Sequence, residues 1–192
     1  SLYHQEEDIK PVDLATSSIG QTFKVTPLQM VTALAAIANG GNLMQPYIVQ
    51  QILDSDGNVV SNTEPVVKRQ VISADTSKRM AAMLENAVSG GAIANAYVSG
   101  YRVAGKTGTS EKTETKNEED PNNEVEVVAS FGGFAPADDP QVAVLVMVDE
   151  PSLKSGGGVA APVAKKILEN ILPYLGIEPR YTEAELASLN RT

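Results

Sequence analysis

One short segment of this chain gathers residues able to do chemistry. Val103-Ala104-Gly105-Lys106-Thr107-Gly108-Thr109-Ser110 sets a lysine among threonines and glycines. Two chemistries use such a set. In one, Lys-Thr-Gly lies on an edge strand and grips the carboxylate of a peptide-like substrate beside a serine nucleophile. In the other, Gly100-Tyr101-Arg102-Val103-Ala104-Gly105-Lys106-Thr107 fits the phosphate-loop pattern G-x-x-x-x-G-K-[ST].

The phosphate-loop reading gains some support from Val144-Leu145-Val146-Met147-Val148-Asp149-Glu150, an apolar run ending in two carboxylates. In a nucleotide hydrolase, Asp149 would hold Mg²⁺ through water and Glu150 would orient the attacking water. The context opposes it. A phosphate loop runs straight into a helix, whose first N–H groups bind the phosphates. Residues 108–124 offer no apolar residue with which such a helix could pack, and their carboxylates would repel a triphosphate.

The edge-strand reading uses the period of two. It puts Tyr101, Val103 and Gly105 on one face and Arg102, Ala104 and Lys106 on the other. Lys106 then carries its ammonium over a cleft beside Thr107 and Thr109, and Gly108 lets a substrate backbone lie close. A substrate chain can add as an extra strand along the edge. Taken alone, Lys-Thr-Gly also fits an ordinary surface lysine on a turn.

The elements that must hold this segment are legible. Thr26-Pro27-Leu28-Gln29 opens a helix with a capping box and an N-terminal proline, and Asn39-Gly40-Gly41 stops it. Residues 47–53 and 59–60 flank a hairpin turn at Asp54-Ser55-Asp56-Gly57-Asn58, and 66–72 is a further strand-like run. A second helix is predicted over 75–88. The segment 97–109 is strand-like near its end, and 108–124 is a solvated acidic loop. Residues 125–135 and 141–149 are strands. The second of these is apolar throughout, which predicts burial of both faces in a central position. A third helix is predicted over 160–175, followed by a polar tail with a short helix begun at Thr182.

Composition narrows the function. A net charge of −9 argues against a nucleic-acid partner. The absence of cysteine removes disulfides and thiolate metal sites. The single histidine, His4, leaves no His cluster for a metal and is expected to be an exposed residue near the chain start. No apolar run is long enough to span a membrane.

With its flanks included, the chain resembles the class B penicillin-binding proteins, the D,D-transpeptidases of peptidoglycan cross-linking. The segment around Lys106 looks like that family's third motif. Ser18-Ile19-Gly20-Gln21, Val25-Thr26-Pro27-Leu28-Gln29-Met30 and Ala36-Ile37-Ala38-Asn39-Gly40-Gly41 are similar to its upstream helix region. Phe131-Gly132-Gly133-Phe134-Ala135-Pro136 looks like the next strand, and Gly157-Gly158 with Ala160-Ala161-Pro162-Val163 like the closing helix.

The resemblance implies an α+β fold: three consecutive antiparallel strands plus a hairpin, covered by helices, as part of a serine β-lactamase-like transpeptidase fold. It implies that Lys106 supports the proton network. It also implies that Thr107 and Thr109 bind the substrate or antibiotic carboxylate, that Lys106 and Gly108 belong to the same substrate-binding set, and that the Thr109 N–H is one of two oxyanion donors. The partners implied are D-Ala-D-Ala stem peptides and β-lactams, with no cofactor and no metal. The family's S-x-x-K nucleophile motif is missing, and the one S-x-N match, Ser188-Leu189-Asn190, falls in the wrong order. The chain is therefore expected to be the C-terminal part of a transpeptidase domain over 1–176, with a polar tail over 177–192. The expected parent is extracytoplasmic and anchored in the membrane upstream. A piece of this kind is expected to be inactive alone and to dimerise through exposed surface. The competing expectation is a non-catalytic binding module of the same fold.

Overall fold

The computed structural model describes residues 6–21, 23–112, 115 and 125–189. His4, Asn190 and most of the acidic stretch before Val125 lie outside the described residues, and so do the expectations placed on them.

Three strands form the central sheet: β5 (Ala104–Glu111), β6 (Val127–Ala135) and β7 (Val142–Asp149). They are antiparallel, as the sequence predicts, and lie in the order β5-β6-β7. The strand β6 is the central one. Among the described residues β7 has no second neighbour, and Met147 is 46% exposed. The apolar run 142–148 therefore misled about sheet position, because periodicity reports burial of side chains and not the number of hydrogen-bonded neighbours. β5 also runs on to Glu111, past the point where a loop was expected. Its pairing continues through Glu111↔Val127 by main-chain bonds, which need no apolar side chains at an exposed end.

Helices cover both faces. On one lies α4 (Gly156–Tyr174), whose Ala160, Ala161, Ala164, Leu168 and Leu172 bury Phe131 of β6 completely. On the other lie α2 (Pro27–Ala38) and α3 (Ala74–Ser89), with Phe134 buried among Ala81, Ala104 and Ala137. Phe131 and Phe134 are three residues apart, so the pleat sends them to opposite faces. Each is worth about 1.5–3 kcal/mol of burial, and together they fix both helical layers to one strand.

Local signals set the helix starts. Thr26 Oγ1 accepts from Gln29 N–H at 3.2 Å while Thr26 N–H donates to Gln29 Oε1 at 2.9 Å, the reciprocal capping box predicted. Ser73 Oγ caps α3 by accepting from Thr76 N–H at 3.1 Å. A short helix, α1 (Pro11–Ser17), precedes them and was not anticipated.

The remaining strands are small. β1 (Asn42–Met44) pairs with β4 (Val67–Gln70), and β2 (Gln51–Leu53) pairs with β3 (Val59–Asn62). The β2–β3 turn is closed by Asp54, whose Oδ1 accepts from Asn58 N–H at 2.8 Å, with Gly57 at φ 85°. The C-terminal α5 (Glu183–Leu189) begins where the sequence places it, after Thr182.

Candidate active site at the free edge of β5

The phosphate loop does not form. Lys106 and Thr107 lie inside β5, which runs on as strand to Glu111 where a phosphate loop would turn into a helix. Asp149 and Glu150 are held by another lysine: Lys112 Nζ lies 3.0 Å from Asp149 Oδ1 and 2.6 Å from Glu150 Oε1. Hydrogen bonds to Glu150 and Asp149 push the Lys112 ammonium above its ordinary range.

β5 presents a free edge. Lys112 N–H donates to Glu126 O at 2.7 Å, in the register that pairs Thr109 with Ala129. Hydrogen-bonded and non-bonded pairs alternate along an antiparallel ladder. The even-numbered residues of β5 therefore exchange bonds with β6. Gly105, Thr107 and Thr109 direct their N–H and C=O groups away from it, and among the described residues no strand pairs with that side.

The side chains divide between the two faces. Lys106 and Gly108 share the face of Ala104, toward α2 and α3; Thr107 and Thr109 share the opposite face, toward α4. The expected grouping of Lys106 with Ala104 holds, although Arg102 lies before the strand. The lysine and threonines were expected side by side, but their side chains occupy opposite faces of the strand. Lys106 Nζ reaches the rim by donating to Thr107 O at 2.8 Å, one of the carbonyls aimed off the free edge.

Thr109 is oriented by a contact invisible in the sequence. Gly156 N–H, at the start of α4, donates to Thr109 Oγ1 at 3.2 Å. A hydroxyl that accepts there still has its own proton to donate. α4 begins at Gly156 and not at 160 because Ser155 caps it, accepting from Gly158 N–H at 3.3 Å. Residue 156 also has to be glycine. A Cβ there would lie 2.4 Å from Gly108 O and 2.5 Å from Ser130 O. The space at Gly108 is likewise used within the protein, since a Cβ would stand 2.6 Å from Ser130 Oγ.

The bend that feeds β5 is anchored at two places. Arg102 forms a bidentate pair with Glu85 of α3, both contacts 2.6 Å, and its Nη1 lies 2.9 Å from Asp138 Oδ2. Residues 97–101 are covered by the C-terminal segment, which reads in sequence as a tail. The Thr182-x-x-Glu185 spacing was the available signal for a helix start there, but not for where that helix docks.

The chain matches the family model of the penicillin-binding protein transpeptidase domain over residues 3–169. It is 43% identical to stage V sporulation protein D of Bacillus subtilis over 182 residues, 93% of this chain and 28% of that protein. It is 30% identical to peptidoglycan D,D-transpeptidase FtsI of Escherichia coli, again over 93% of this chain and 28% of the relative. The chain thus spans about 28% of the length of these curated relatives. Among solved structures it is similar to the transpeptidase domain of Burkholderia pseudomallei penicillin-binding protein 3. That match has a TM-score of 0.74 and 31% identity, and covers 94% of this chain and 52% of that one. It is also similar to Mycobacterium tuberculosis penicillin-binding protein 3 complexed with ampicillin, with a TM-score of 0.76 and 26% identity, covering 95% of this chain and 42% of that one. The chain, with its free β5 edge and helices on both faces of the sheet, belongs to the penicillin-binding protein transpeptidase family.

Proposed function

We propose that this chain is one wall of the cleft of a serine-type peptidoglycan D,D-transpeptidase that cross-links stem peptides and is acylated by penicillin. The observation that carries this reading is the rim of β5. There the Lys106 ammonium sits on the outward Thr107 carbonyl, and the Thr109 N–H points off an edge with which no strand pairs among the described residues.

A D-Ala-D-Ala terminus fits that edge as an added strand. Its carboxylate accepts from the Thr107 and Thr109 hydroxyls in the field of Lys106. A serine then attacks the penultimate D-Ala carbonyl. The tetrahedral oxyanion accepts from the Thr109 N–H and a second donor, the first worth roughly 3 kcal/mol of transition-state stabilisation. Terminal D-Ala leaves with a proton, and an amine of a neighbouring strand takes the acyl group. The serine and its lysine come from residues outside these 192, which contain no S-x-x-K. The parent is extracytoplasmic and anchored in the membrane by a segment elsewhere. No helix among the described residues is long and apolar enough to cross one.

The test is labelling by fluorescent penicillin, read by intact mass. A protein extended upstream through the nucleophile motif gains one adduct, and the isolated 192-residue chain gains none. Lys106→Ala in the extended protein slows acylation by about 10²–10³-fold, the scale of one lost electrostatic stabiliser. A stoichiometric adduct on the isolated chain, or full labelling of the Lys106 variant, would overturn the assignment.

A further inference from the structure

The segment 177–189 makes a concerted set of contacts with the bend that precedes β5. Glu185 Oε1 accepts from Gly100 N–H at 2.8 Å, from Ser99 Oγ at 3.2 Å and from the Tyr97 hydroxyl. Its other oxygen, Oε2, accepts from Thr182 N–H at 2.6 Å and Thr182 Oγ1 at 2.8 Å, closing the capping box of α5. One carboxylate therefore starts the helix and grips the bend. Further main-chain contacts run alongside: Arg180 N–H donates to Gly100 O at 2.6 Å, and the Tyr101 hydroxyl donates to Ile177 O at 3.2 Å.

The fit at Gly100 is close. It has φ 78°, and a Cβ there would stand 2.7 Å from both Pro179 Cβ and Tyr181 Cε1. Arg180 Nη1 also lies 3.0 Å from Asp138 Oδ2, the oxygen that pairs with Arg102. The segment is thereby tied to both sides of the strand entry. Gly100 lies four residues before Ala104, the first residue of β5, so the bend held by Glu185 leads directly into the strand.

We infer that residues 177–189 are a strap that positions the β5 edge, with Glu185 as its positioning residue. The strap touches no substrate group. It acts by fixing the 97–101 bend, so that the outward Thr109 N–H and the Lys106 ammonium stay in place. The inference rests on the transpeptidase reading only for its effect on acylation; its effect on β5 order stands apart from that reading.

The test uses the upstream-extended protein and two readouts, amide hydrogen exchange over 97–109 and the acylation rate with fluorescent penicillin. Glu185→Ala and a truncation after Gly176 are expected to lose protection across 97–109 and to slow acylation about tenfold. Glu185→Gln keeps an acceptor oxygen and is expected to recover most of both. Thr26→Ala serves as a stability control, because it removes the capping-box bond between Thr26 Oγ1 and Gln29 N–H at the start of α2, away from the strap and the 97–101 bend. It is expected to lower Tm while leaving exchange over 97–109 and acylation unchanged. Wild-type exchange over 97–109 in Glu185→Ala overturns the strap, as does the same loss in Thr26→Ala. If the unaltered extended protein takes no penicillin, the transpeptidase reading fails, while exchange still decides the strap.

Discussion

Glu185 shows how one side chain can set a pH window. Burial works to raise its pKa, but the donors from Tyr97, Gly100 and Thr182 outweigh it and bring the carboxyl from an ordinary 4.5 down to about 2. Tyr97, the titratable partner, is pushed up to about 12 by burial and by Glu185, and stays neutral throughout the acid range. A carboxyl with a depressed folded pKa stabilises the fold fully above its unfolded value, and that contribution is lost as pH falls through the folded one. The Tm difference between the wild-type chain and Glu185→Ala is therefore expected to be constant from pH 7 to 5. It shrinks between about pH 4.5 and 2. A difference that grows on acidification would contradict this sign.

At the scale of elements, the decisive contact is the start of α4 against β5. Three things coincide at Gly156: the N–H that orients Thr109, the approach to Gly108 O, and the approach to Ser130 O. Gly156→Ala puts a methyl where only 2.4–2.5 Å is available to two carbonyls, so the helix start must lift. Overpacking of this kind costs about 1–3 kcal/mol. The lift also removes the donor that aims the Thr109 hydroxyl. In the extended protein, penicillin acylation is expected to fall on the order of 10²-fold, the scale of a 1 Å misplacement. Unchanged acylation with unchanged Tm would show that α4 does not position the edge. Gly157 is the comparison site, because a Cβ there meets Thr107 Cγ2 at an ordinary 3.9 Å.

Over the whole molecule, buried and exposed apolar surface are unevenly shared. The β5-β6-β7 sheet and its helices hold the buried clusters, while Ile48 is fully exposed, Val60 is 65% exposed and Leu28 is 58% exposed. Val59, Val67 and Leu53 are also exposed, so both small sheets present apolar side chains to solvent. Surface of this kind associates when nothing covers it. Sedimentation of the isolated chain is expected to show concentration-dependent association that the upstream-extended protein does not share. A strictly monomeric isolated chain would remove the dimerisation expectation.

What is local or periodic in this fold is already written in the order of its amino acids. The capping box at Thr26 and Gln29, the Asp54–Asn58 turn, three antiparallel strands and the Lys106-Thr107-Gly108-Thr109 signature depend on near neighbours and on a period of two or 3.6. Packing in three dimensions set which strand is central and put Lys106 and Thr109 on opposite faces of β5. It alone brought Gly156 to Thr109, 47 residues away, and Glu185 to Gly100, 85 residues away. One cause underlies each of these long-range contacts. A backbone N–H or a carboxylate finds its distant partner only after the sheet and its helices have packed, and no local pattern in the chain records that meeting.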